Sequence, residues 1–299
     1  MSASRGALLG LALHLACTPV ERSTPPAQAK ATSKSDGAAR AVPSAEPAAR
    51  DAAPGGAGAG LVDPAPVPAG PLPLEAPGEY LALDVEGFRP AVVAVPLGAT
   101  ARRPVVIALH GNYDRPEWQC EVWRGITGAH PFILCPRGIP RGDAPKSSDR
   151  WEYGALKKTA QEIDAGLLAL AQRFPDHVDP GPVVFTGFSL GAILGVHIVT
   201  KAPGRFSRMV LTEGGQAGWS RTLAEKLAEQ GGRVIFACGQ GSCQASSRAP
   251  RKLLESAGVG ARIVSGGNVG HDYGGKVAAA IAEQWAWLVE GDARFSAAP

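Results

Sequence analysis

Gly187-Phe188-Ser189-Leu190-Gly191 is the stretch of this chain with the plainest chemical potential. A serine hydroxyl is a poor nucleophile until a base takes its proton. The pentapeptide therefore matters only if the fold also delivers a histidine, a carboxylate that orients it, and fixed N–H donors for an oxyanion. Gly-x-Ser-x-Gly alone is a weak signal in a chain with 38 glycines among 299 residues. Its flanks strengthen it. Val183 to Thr186 reads as a buried strand running into the motif, and Leu190 to Thr200 reads as a helix leaving it. Strand, sharp turn and helix make a nucleophile elbow, with glycines where bulk is least tolerated and a helix N-terminus beside the serine oxygen.

The Leu190 N–H is the expected first oxyanion donor. A second should come from the loop after an earlier central strand, here Ile107-Ala108-Leu109-His110-Gly111-Asn112-Tyr113, where Gly111 lets the backbone turn closely and Asn112 or Tyr113 presents its N–H. With the His110-Gly111 turn, the serine elbow and a late histidine in that order, residues 80 to 289 resemble the α/β-hydrolase superfamily. The resemblance implies an acyl-transfer mechanism without naming a substrate.

Among six histidines, only His271 follows the last predicted strand, in the glycine-rich loop from Gly266, where the superfamily carries its base. Serine before histidine also fits the superfamily's chain order. The resemblance places the acid most often after the next-to-last strand, but residues 230 to 254 contain no Asp or Glu. A less common arrangement puts it one strand earlier, where Val210-Leu211-Thr212-Glu213-Gly214-Gly215 offers Glu213. Gln240 is the fallback orienter, and Asp272 stands too near His271 in sequence to turn onto it.

Around these residues, short β-branched runs alternate with longer amphipathic stretches, the pattern of βαβ units. Strands are predicted at 80–85, 91–95, 105–109, 132–135, 183–186, 209–212, 234–237 and 262–264, the first two as an antiparallel edge hairpin. Helices are predicted at 157–174, 190–200, 219–229, 248–256 and 276–289. The expected fold is α/β, a doubly wound, mostly parallel eight-stranded sheet with helices on both faces and functional residues just past strand carboxyl ends. The long polar segment 136–153 is expected to cover the site. Trp151 and Tyr153, with Trp118, are candidates to line a substrate pocket, and Arg137 and Arg150 could meet a substrate carboxylate.

Composition sets the domain plan. Residues 1–17 resemble a bacterial lipoprotein signal, with Arg5 ahead of an apolar run and small Ala16 before Cys17, the residue that would be lipidated. Residues 18–77 are rich in Pro, Ala, Gly and Ser and bury too little apolar surface to fold, so they read as a linker. Residues 78–299 form the hydrolase domain. The expected address is exported, in the periplasm or anchored to the cell envelope, with the linker holding the domain off a membrane. Setting Cys17 aside leaves four cysteines, for which Cys120–Cys135 and Cys238–Cys243 is the preferred pairing of the three possible. No histidines cluster with them at ligand spacing, so neither metal nor cofactor is expected. A net charge of +3 without a basic stripe argues against nucleic acid.

The chain is thus expected to cleave a small-molecule carboxylic ester through an acyl-enzyme. Serine peptidase or acyltransferase chemistry stays open, as does an exported, non-catalytic binding module on the same fold. Cys17→Ser should move the protein from the membrane fraction to the soluble fraction of fractionated cells; an unchanged distribution would refute the tether.

Overall fold

The computed structural model describes residues 70–295. The export segment, Cys17 and the linker through residue 69 lie outside the described residues, as do residues 296–299. Packed chain begins ahead of Pro77, because Leu74 is buried in the core and its backbone exchanges hydrogen bonds with Gly98 and Ala99.

The elements run β1 (Tyr80–Leu83), β2 (Ala91–Ala94), β3 (Val105–Leu109), α1 (Pro116–Thr127), β4 (Phe132–Cys135), β5 (Ile139–Pro140), β6 (Trp151–Glu152), α2 (Leu156–Arg173), β7 (Val184–Phe188), α3 (Leu190–Val199), β8 (Arg208–Thr212), α4 (Arg221–Glu229), β9 (Arg233–Cys238), α5 (Gly241–Ser256), β10 (Gly260–Ser265) and α6 (Gly275–Val289). Eight strands form one sheet in the order β1-β2-β4-β3-β7-β8-β9-β10, and β5 pairs with β6 in a separate ribbon. The β1–β2 and β2–β4 pairs are antiparallel, and the other neighbours in the large sheet run parallel. This is the expected sheet, including its edge hairpin.

Apolar residues at every position of the central strands are explained by helices on both faces. In β3, Val105, Ile107 and Leu109 pack into a core completed by Ile163 and Leu170 of α2, Val196 of α3 and Leu227 of α4. Val106 and Ala108 face the other way, toward Trp123 of α1 and Val277 and Ile281 of α6. Two helices differ from expectation. α1 occupies a stretch where no helix boundaries were predicted, opening on Pro116, whose missing N–H costs nothing in a first helical turn. α5 begins at Gly241 instead of Arg248. Its first turns, Gly-Ser-Cys-Gln-Ala-Ser-Ser, carry little helix propensity, and tertiary contacts of buried Cys243 and Ser247 hold them in the helix.

The amino ends of the strands are sewn together by charged groups. Arg208 donates to the carbonyls of Leu288 in the last turn of α6 and Glu290 just past it, Arg233 pairs with Glu290 at 2.8 Å, and Arg294 bridges Asp292 at 2.6 Å and Asp179 at 2.9 Å. At the carboxyl ends, two disulfides each tie a strand to a helix: Cys120 of α1 to Cys135 of β4, and Cys238 of β9 to Cys243 of α5. With sequence separations of 15 and 5 residues, they restrict the denatured chain by about 3 and about 2 kcal/mol respectively. Peptide mapping of unreduced protein should recover these two linked pairs. Two or more free thiols among the four residues would contradict the pairing.

Candidate active site

The sheet reverses its winding between β3 and β7, since the connection from β3 leads to β4 on one side and β7 lies on the other. A crevice at the carboxyl ends of the strands is expected at such a switch point. Ser189 follows β7 directly, and His110-Gly111 follows β3. Ser189 has φ 51° and ψ −114°, a left-handed backbone unusual for serine. Its N–H donates to the Thr212 carbonyl at 2.8 Å, and its own carbonyl accepts from Ile193 N–H at 3.0 Å, so neighbouring strand and helix both hold the turn. The flanking glycines are sterically required: a Cβ on Gly187 would lie 2.6 Å from the Gly191 carbonyl, and one on Gly191 would lie 2.7 Å from the carbonyls of Leu109 and His110.

The oxyanion candidates surround this turn. Leu190 is the first residue of α3, where backbone N–H groups have no intrahelical acceptor. The loop after β3 approaches closely: a Cβ built on Gly111 would stand 3.4 Å from Ser189 Cβ. Asn112 and Tyr113 follow in the turn, Tyr113 at φ 62°. Asp114 closes it, its carboxylate accepting from Gly111 N–H at 3.3 Å and its backbone pairing with Trp151. His110 is fully buried, its ring nitrogens facing the carbonyls of Gly111 at 2.7 Å and Arg137 at 3.0 Å. Burial pushes its pKa down. It is a turn-building residue, as expected.

His271 and Glu213 come together as predicted. Nδ1 of His271 faces Oε2 of Glu213 at 3.3 Å, with 50% of the histidine side chain exposed against 3% of the glutamate. The His271 ring packs on Phe188, the residue before the serine, at 4.9 Å between centroids. Ser189 Oγ makes no hydrogen bond to His271 among the described residues; catalytic hydrogen bonds commonly tighten only around bound substrate. Glu213, at φ 52°, accepts on Oε1 from the N–H groups of Gly239 (2.5 Å) and Gln240 (3.0 Å), and on Oε2 from the Gln240 side-chain amide (3.0 Å). Asp272 accepts from the N–H groups of Tyr273 and Gly274.

The residues expected around the pocket are placed as follows. Tyr153 is buried, stacked on His110 at 4.3 Å, and donates to the Pro136 carbonyl, so it supports the loops. Trp151 is half-buried under the guanidinium groups of Arg89 and Arg137, with its indole N–H on Asp149. Arg137 is itself engaged by Glu117 at 2.7 Å. Arg150 lies over Trp118 at 4.7 Å and Tyr113 at 5.8 Å.

Two supporting residues were missed in the sequence. Tyr273 donates to Asp114 at 3.1 Å, joining the loop that carries His271 to the loop after β3. Glu162 lies on the buried face of α2 with Thr159, Ile163, Gly166 and Leu170, where it accepts from Gly138 N–H at 2.8 Å. An acidic residue in register with an apolar stripe was the available signal.

No protein-family model matches the chain, and no curated protein matches it. Among solved structures, esterase PE8 superposes with a TM-score of 0.50 at 14% identity, over 70% of this chain and 100% of that one. A carboxylesterase from Mesorhizobium loti aligns at 21% identity with a TM-score of 0.48, covering 70% and 99% of the two chains. A carboxylesterase from Bacillus cereus does so at 20% identity and 0.47, covering 62% and 89%. The chain has the α/β-hydrolase fold.

Burial raises the Glu162 pKa above the ordinary carboxylate value, outweighing the N–H groups of Gly138 and Arg137 that favour the anion. A raised folded-state value means the native state loses stability as pH rises through it. Glu162→Gln keeps an oxygen for Gly138 and should melt at higher temperature than wild type at pH 8. The gap should close below the ordinary carboxylate pKa; a gap independent of pH would show that ionisation of Glu162 is not its cause.

Proposed function

We propose that this chain is a serine hydrolase of carboxylic esters, with Ser189 as nucleophile, His271 as base and Glu213 as the acid that orients it. One observation carries the proposal: the carboxylate from the end of β8 faces His271 Nδ1, while the His271 ring packs on Phe188, the residue before Ser189. With Nδ1 protonated toward Glu213, Nε2 takes the Ser189 proton as Oγ attacks the ester carbonyl. The tetrahedral oxyanion is received by the N–H of Leu190 and by the turn at Asn112 and Tyr113. Imidazolium then protonates the departing alcohol. Water, activated by the same nitrogen, releases the acid and restores the serine.

An ester is favoured over an amide because an alcohol leaves more readily than an amine. The binding-module alternative rested on the missing acid after β9, and Glu213 supplies a carboxylate from the neighbouring strand. Two disulfides fit an oxidising compartment, and no described helix is long and apolar enough to cross a membrane. We therefore place the domain outside the cytoplasm, tethered through Cys17.

A fluorophosphonate probe should label wild-type protein at Ser189 and leave Ser189→Ala unlabelled. Glu213→Gln should lower kcat on p-nitrophenyl acetate by about 10³- to 10⁴-fold without loss of the thermal melt. Folded wild-type protein that takes no label would end the enzyme reading, and full activity in Glu213→Gln would remove the acid.

A further inference from the structure

Gln240 stands where the superfamily most often carries its acid, and in this chain it touches the acid from the neighbouring strand. Its side-chain amide donates to Glu213 Oε2 at 3.0 Å, the same oxygen that faces His271. Its backbone N–H and that of Gly239 take Oε1. Three of the four hydrogen bonds at this carboxylate thus come from two consecutive residues. Glu213 needs such restraint, because its backbone is left-handed at φ 52°, a conformation strained outside glycine. The Glu213 N–H also donates to Ala237 at the end of β9. Gly239 and Gln240 are in turn enclosed by the Cys238–Cys243 disulfide, which pins the end of β9 to the first turn of α5. Gln240 immediately precedes that helix, so the carboxylate also lies at its positive end.

We infer that Gln240, held in the ring closed by Cys238–Cys243, is the positioning residue for the Glu213 carboxylate. It fixes which lone pair of Oε2 is left for His271. The ring keeps the three donors at their spacing while the exposed histidine samples solvent. Glu213 then enters each turnover already oriented, and its rotamer is not lost to substrate.

This inference rests on the serine-hydrolase reading, and the test separates the two. Gln240→Met keeps the side-chain length and removes its donor. Turnover of p-nitrophenyl acetate, divided by sites titrated with fluorophosphonate, should fall about tenfold, with KM within twofold of wild type. The downfield proton resonance of the His271–Glu213 hydrogen bond should shift further downfield, because Oε2 loses a competing donor. The paired variant Cys238→Ser, Cys243→Ser should lower kcat in the same direction. If Gln240→Met does not fold, Gln240→Asn, which draws the amide back by one methylene, carries the same expectations. Wild-type kcat and an unmoved resonance overturn the role of Gln240, and wild-type kcat in the paired serine variant overturns that of the ring. If Ser189→Ala retains wild-type turnover, the hydrolase reading itself fails, whatever Gln240 does.

Discussion

A serine forced into left-handed backbone between a strand and a helix is the constraint on which the rest of this structure depends. Such a conformation costs a non-glycine residue about 1–3 kcal/mol and persists only where its surroundings over-determine it. Here the surroundings are specific. The carbonyl of Thr212 on β8 takes the Ser189 N–H, and the loop after β3 closes over the turn at Gly111. Ser189 keeps this backbone because three adjoining segments, from β3, β7 and β8, leave it no other place. The same arrangement places Glu213, one residue beyond Thr212, against His271.

Much of this was legible in the chain. The eight strands and the elbow follow from apolar periodicity and from where each residue stands relative to a strand end; the choice of Glu213 and His271 follows from the resemblance to the superfamily. Periodicity says little about segments whose conformation is set by partners far away in sequence. The opening of α5 is one: seven small and polar residues join the helix because Cys243 is drawn against the end of β9. Tyr153 is another. An aromatic in a polar loop suggests a pocket wall, and only the stacked His110 ring and the Pro136 carbonyl reveal it as a prop beneath the site. The Tyr273–Asp114 hydrogen bond joins residues 159 positions apart, beyond any local pattern.

Glu213 illustrates how a buried carboxylate can be surrounded by donors. Its oxygens are nearly closed to solvent, yet they receive two backbone N–H groups and a side-chain amide, and they face the His271 imidazole. Such donors replace the water that a buried polar group loses. The contrast is Glu162, buried on α2 with fewer compensating contacts and shifted toward its protonated form. The two acids differ in the number of donors around them, three for Glu213 and the N–H groups of Gly138 and Arg137 for Glu162.

The charged seam along the amino ends of the strands divides labour within the fold. Arg208, Arg233 and Arg294 fasten α6 and the residues after it to the sheet at the end away from Ser189. That rim behaves as a keel: it holds the helices against the sheet while loops at the opposite rim exchange residues. Residues at the rim that carries Ser189 can vary while the anchorage of the sheet is left intact. A protein built this way can remodel one edge without relearning how to fold.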